Sequence, residues 1–231
     1  MAVFLILIFL ILGLIIGSFL NCLIWRLYSE ETIGGRSYCP HCRHQISWYD
    51  NLPVLSFIIL RGRCRHCHKK ISWQYPLVEL AVGLLFVLSF FHAFAFRLPT
   101  EIELLKLLSG WAIWIFWLKD ILAIAVMTII FVFDWRWMLV PNGVIWPTAI
   151  ILLGLNFILS FSGLPEAAFV WTSAAIAVIA ALAFFGSQYV LTRGRGLGEG
   201  DIWIGLLMAG LFADWRLFTV ATLLSYFIGA F

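Results

Sequence analysis

The chain opens on 25 residues, Met1 to Trp25, with no charged side chain and almost no polar one. A run of roughly 20 apolar residues is long enough to cross the hydrocarbon of a bilayer as a helix. Lipid admits only helices and closed barrels, because every backbone polar group must be satisfied internally. Further apolar blocks lie near Leu77–Phe96, Trp111–Phe133, Val144–Phe161, Ala167–Leu191, Ile202–Phe212 and Leu217–Phe231. None alternates apolar and polar residues over about ten positions, as barrel strands do. The first block lacks the basic start and small-residue cleavage site of a secretory signal, so it reads as a retained span. The expected fold is all-α, a polytopic transmembrane helix bundle with about seven visible spans. The last block ends without flanking charge, which leaves room for one more span. Residues 101–110, "EIELLKLLSG", have helical apolar spacing and read as interfacial or as an early extension of the next helix.

Charge placement orients the bundle. The 231 residues are 63% hydrophobic and only 12% charged, about half the charge of a soluble domain. Eight of the fifteen Lys and Arg fall between Trp25 and Pro76: Arg26, Arg36, Arg43, Arg61, Arg63, Arg65, Lys69 and Lys70. The positive-inside rule places that segment in the cytoplasm. An anionic inner leaflet accounts for the basic residues, so membrane lipid is the expected partner and nucleic acid is not. The chain divides into a first span (1–25), a cytoplasmic insert (26–75) and a membrane core (76–231). Counting spans from the insert brings Asp134, Arg193, Arg195 and Asp201 to the insert's own face.

The insert repeats itself. "CPHCRHQISW" begins at Cys39 and "CRHCHKKISW" at Cys64, an offset of 25. Each copy is a two-cysteine knuckle followed by Ile-Ser-Trp. Together they supply Cys39, Cys42, Cys64 and Cys67, the four thiolates of a tetrahedral zinc site. The 21 residues between the pairs sit just beyond the usual spacing. His41, His44, His66 and His68 share the insert and could replace a cysteine ligand or support one. The alternative, two disulfides, conflicts with a reducing cytoplasm. Cys22 lies in the first span and reads as a packed apolar residue. An insert of some fifty residues has too little core to fold alone, and a metal would supply the missing stability.

Acids in apolar blocks are the candidates for chemistry. Asp120 follows Lys119 in mid-block and reads as half of an ion pair or as a helix break. Asp134 ends "IIFVFD" and precedes "WRWMLVPNG"; alone, it fits an interfacial helix end with a Trp belt. Asp201 ends "GRGLGEGD" and opens an apolar helix; alone, it fits a first-turn acid on the helix dipole. Taken together the two reach one membrane depth, and Gly196, Gly198 and Gly200 precede the second. Glycines without side chains let another backbone approach. No strand or βαβ unit surrounds them, which argues against a nucleotide loop. Two carboxylates beside such a backbone suit an aspartyl protease, one ionised to activate water and one protonated to donate to the scissile carbonyl. His92 is the only histidine outside the insert, so no Ser-His or Cys-His arrangement competes.

These residues resemble a family, the bacterial prepilin peptidases or type IV leader peptidases. "GSFLNCLIWRL" (Gly17–Leu27), the four-cysteine insert, "NLPVLSF" (Asn51–Phe57), "LRGRCRHC" (Leu60–Cys67), "ISWQYPLVE" (Ile71–Glu79) and "GLGEGD" (Gly196–Asp201) match its pattern in order. The resemblance implies a Gly-x-Gly-Asp intramembrane aspartyl protease, with Gly198, Gly200 and Asp201 as its motif and Asp134 as the second catalytic acid. It implies a multi-pass protein of the bacterial inner membrane that cuts the leader from prepilins and pseudopilins after a glycine, on the cytoplasmic side. It also implies methylation of the new amino terminus with S-adenosylmethionine. Two positions depart from the pattern. Pro141-Asn142 stands where Pro-Asp is usual, and Trp203 stands where Lys is usual. A cleavage-only enzyme of the preflagellin-peptidase type, or a non-catalytic zinc-bearing scaffold for pilin-like helices, are the alternatives.

Overall fold

The computed structural model describes residues 2–92, 110–161, 167–195 and 198–229. Gly196, the end of the block at Leu77–Phe96, and all of "EIELLKLLSG" but its last glycine lie outside the described residues. Among the described residues the helices are α1 (Ala2–Tyr28), α2 (Leu55–Ile59), α3 (Gln74–Phe90), α4 (Trp111–Trp137), α5 (Asn142–Leu159), α6 (Ala167–Thr192), α7 (Glu199–Phe212) and α8 (Trp215–Gly229). There is no strand among them, only two isolated antiparallel bridges in the insert. A helix thus stands at each of the seven apolar blocks. Four stretches, Val3–Tyr28, Trp111–Trp137, Asn142–Leu159 and Trp171–Thr192, are long and apolar enough to cross a membrane, and α3 is shorter. The protein is a helical membrane protein. Its chain forms two compact units that part within α4: Met1–Leu104 with Met127–Met138, and Leu105–Val126 with Leu139–Phe231.

In the first unit α1 and α3 run antiparallel. Phe9 stacks on Phe90 with ring centroids 4.3 Å apart. Nearer the insert, Asn21 Nδ2 donates to the Tyr75 carbonyl at 3.0 Å. Lipid gives apolar helices no reason to seek each other, so close packing at small residues holds the pair. A Cβ on Gly13 would lie 2.7 Å from Gly83 Cα, and one on Gly17 would lie 2.8 Å from Glu79 Cα. On the far side α1 leaves Val3, Phe4, Leu7, Ile11, Ile15 and Phe19 exposed, as a lipid-facing helix should. At its end the buried Arg26 donates to the carbonyls of Ile33, Gly35 and Arg36, which turns the chain into the insert.

The second unit packs α5, α6, α7 and α8 with the first half of α4. Ala177, Ala181, Phe185, Ala209 and Phe218 form one buried cluster. A Cβ on Gly205 would meet the Phe185 ring at 2.5 Å. The buried Lys119 donates to Asn156 Oδ1, and Asn156 Nδ2 donates to the Gly210 carbonyl at 2.8 Å. This polar relay ties α4, α5 and α7 together where each would otherwise offer only apolar surface. The helix runs unbroken through Lys119 and Asp120, so no break occurs there.

Candidate functional site

The sequence repeat is a repeat of backbone geometry. The Tyr38–Gln45 bridge recurs as Arg63–Lys70, each 25 residues on. Cys39 N–H donates to the His44 carbonyl at 2.9 Å, and Cys64 N–H donates to that of Lys69 at 2.9 Å. Arg43 and His68 then take left-handed conformations, φ 58° and 56°, closing each knuckle back onto its first cysteine. The two knuckles face each other. The sulfurs of Cys39, Cys42, Cys64 and Cys67 all lie within 4.8 Å of one another, and Cys39 and Cys67 are 3.9 Å apart. Four sulfurs at about 2.3 Å from a tetrahedral zinc stand roughly 3.8 Å apart, so the set fits a metal of that size. No histidine joins the cluster among the described residues, although the rings of His44 and His66 lie 3.4 Å apart beside it.

Crowding separates the thiols. The His44 backbone N–H favours the Cys42 thiolate, but burial and the three neighbouring sulfurs outweigh it and push the thiol up to about 11. Burial opposes ionisation of Cys64, but the N–H groups of Cys67 and His66 and two thiols bring it down to about 7. A bound cation is what would let all four ionise together.

A cavity of about 470 Å³ opens in the first unit between the knuckles and the α1–α3 pair. Trp25, Tyr38, His44, Tyr75, Glu79 and Arg136 are among its walls. Arg136 Nη1 donates to Gln74 Oε1 at 3.0 Å, and Trp137 stacks on Tyr28 at 3.9 Å. Those contacts fix the end of α4 that carries Asp134. The Asp134 carboxylate is exposed, three residues before that end.

Glu79 was not picked out by charge alone. Only 7% exposed, it accepts the Val54 N–H at 2.7 Å through Oε2 and a second hydrogen bond from Ser18. Val54 has φ +60°, a costly conformation for a β-branched residue. Glu79 therefore pins a strained turn of the insert onto α3. It is the lone acid of the block at Leu77–Phe96, and an acid in an apolar block is the signal that could have found it.

In the second unit Asp201 is the third residue of α7, and its Oδ2 accepts the Gly198 N–H at 2.9 Å. Gly200 packs where no side chain fits well: a Cβ there would be 3.2 Å from both Asn142 Oδ1 and Val140 Cγ1. Asn142 Oδ1 is buried with no hydrogen-bond partner among the described residues. The residue that departs from the Pro-Asp pattern thus lies against the Gly-x-Gly-Asp turn.

Comparison with known proteins follows these features along the chain. Residues 11–93 match the family model described as the bacterial peptidase A24 N-terminal domain. Residues 121–231 match that of the type IV leader peptidase family. The prepilin leader peptidase/N-methyltransferase of Stutzerimonas stutzeri is 31% identical over 245 residues, covering 96% of this chain and 77% of its own. The protein of the same name from Klebsiella pneumoniae is 33% identical over 224 residues, covering 92% and 87%. That of Myxococcus xanthus is 47% identical over 77 residues, a third of this chain. No solved structure matches.

Proposed function

The chain belongs to the type IV leader peptidase family, and on that premise we propose that it removes the leader peptide of prepilins and pseudopilins at the cytoplasmic face of the bacterial inner membrane, with Asp134 and Asp201 as the catalytic pair. The observation that carries the reading is a family match along nearly the whole chain that includes both acids and the cysteine insert.

In this mechanism one carboxylate takes a proton from water as the water oxygen attacks the scissile carbonyl carbon. The other, protonated, gives its proton to the carbonyl oxygen. Collapse of the tetrahedral intermediate breaks the C–N bond as the first acid gives its proton to the leaving amine and the second carboxylate takes back a hydroxyl proton. Gly198, which carries no side chain beside Asp201, leaves room for the substrate backbone there. The Gly198 N–H on Oδ2 orients the Asp201 carboxylate at the start of α7.

The four cysteines hold zinc as a structural ion, since four thiolates in a closed tetrahedral set leave no open position for substrate. The relatives' name, which pairs peptidase with N-methyltransferase, supports a second step on the new amino terminus. S-adenosylmethionine would supply an electrophilic methyl group for it. The cavity suits such a ligand: the aromatic Trp25 and Tyr75 and the cationic Arg136 are among its walls. Mass spectrometry of a pilin-like substrate, incubated with the full chain and S-adenosylmethionine, tests both steps. The expected product has lost its leader and gained one methyl, about 14 mass units. An intact substrate would contradict the peptidase reading, and a cleaved, unmodified terminus would contradict the methylation alone.

A further inference from the structure

A groove of about 700 Å³ runs along the outside of the first unit, between α2, the second knuckle and the start of α3. Its floor and lower wall are apolar and open to the surroundings. Ile58 is 64% exposed, Trp73 69% and Leu77 63%. Leu77 and Leu80 flank Glu79, which packs against Gly17 within α1, a candidate span. Their exposed faces therefore look into hydrocarbon, and Phe57 and Ile58 of α2 line the same groove.

The upper wall is cationic. Arg61, Arg63 and Lys70 line it, all exposed, and no acidic residue does. Elsewhere in the insert Arg43 pairs with Glu31, Arg65 with Asp50, and Arg26 with three carbonyls. These three have no ion pair among the described residues. The Arg63–Lys70 bridge sets two of them directly across from each other. Like charges in that position repel, and an anion between them would relieve the repulsion.

From this we infer that the groove binds an anionic glycerophospholipid, its phosphate on Arg61, Arg63 and Lys70 and its acyl chains along Ile58, Trp73, Leu77 and Leu80. The ligand is amphipathic because the site is. A soluble phosphate would leave the apolar half unmet, and a zwitterionic lipid would return a positive choline to a wall of three cations. A lipid seated there would hold the insert down on the membrane through α2, next to the strained turn that Glu79 pins. The assignment is independent of the peptidase reading.

The test is native mass spectrometry of the full, zinc-loaded chain in detergent, titrated with phosphatidylglycerol or phosphatidylcholine. The wild type should retain phosphatidylglycerol preferentially, and less of it as salt rises. Arg61→Gln/Arg63→Gln/Lys70→Gln should lose about fivefold in affinity per cation removed, while Arg36→Gln, a charge outside the groove, should not. Ile58→Ser should weaken retention of the lipid with the cations intact. If the triple variant loses zinc, Arg61→Gln, outside the knuckle, decides the charge arm alone. Undiminished retention by the cation variants, equal retention of phosphatidylcholine, or equal competition by glycerol phosphate would overturn the assignment.

Discussion

Cys39 and Cys67 come from different knuckles, yet their sulfurs stand 3.9 Å apart. That cross-knuckle contact closes the four-sulfur set, so a metal held there would join the two halves of the insert. Purified protein should carry about one zinc per chain. Cys39→Ser or strong chelation should release it and open residues 29–73 to protease, while the helices keep their far-ultraviolet signal. Elemental analysis with limited proteolysis checks this.

Zinc affinity should rise with pH. Without metal, Cys42 is held up at about 11 and stays protonated at neutral pH, and Cys64 at about 7 is half ionised there. Binding must expel those protons, so each one released steepens the dependence by about tenfold per pH unit. A competition titration between pH 6 and 8 should show tighter binding at the alkaline end. A flat profile would mean that the thiols are already ionised without metal.

Gly13 and Gly83 set the distance between α1 and α3. Gly13→Leu would push a side chain into the Gly83 backbone, 2.7 Å from where the first carbon would stand. Overpacking of this kind costs about 1–3 kcal/mol. The variant should melt earlier in detergent, whereas Gly154→Ala, with nothing within 4 Å, should not.

Asn156→Leu should destabilise the second unit more than a surface change does. It takes a partner from the buried Lys119 and from the Gly210 carbonyl. Leaving buried polar groups short of partners costs about 1–3 kcal/mol. Thermal melting of the variant in detergent checks it.

Much of this architecture was readable from the chain, for physical reasons. Lipid forbids unpaired backbone, so each apolar block had to be a helix. The knuckle repeat was legible because both copies keep their cysteines, their turn and their Ile-Ser-Trp. Which helix packs on which was not, since hydropathy fixes depth but not neighbours. The Gly13-x-x-x-Gly17 spacing carried a signal for the α1–α3 contact. Glu79 sits close to the start of its block, where an acid passes for a span end. Asn142 stood out only as a departure from a pattern, and its place against Gly200 needed the folded chain.

In the proposed mechanism Asp134 and Asp201 share one division of labour. Asparagine keeps the shape of each side chain but can neither hold nor give the proton that the mechanism moves. Cleavage of a pilin-like substrate should be measured for Asp134→Asn, Asp201→Asn and the double variant, with zinc content and expression checked for each. Asp120→Asn serves as the comparison acid and should be mild. Each single change should abolish cleavage almost completely, and the double change should add little, because residues acting together are strongly non-additive. Near-normal cleavage by either single variant would contradict the account.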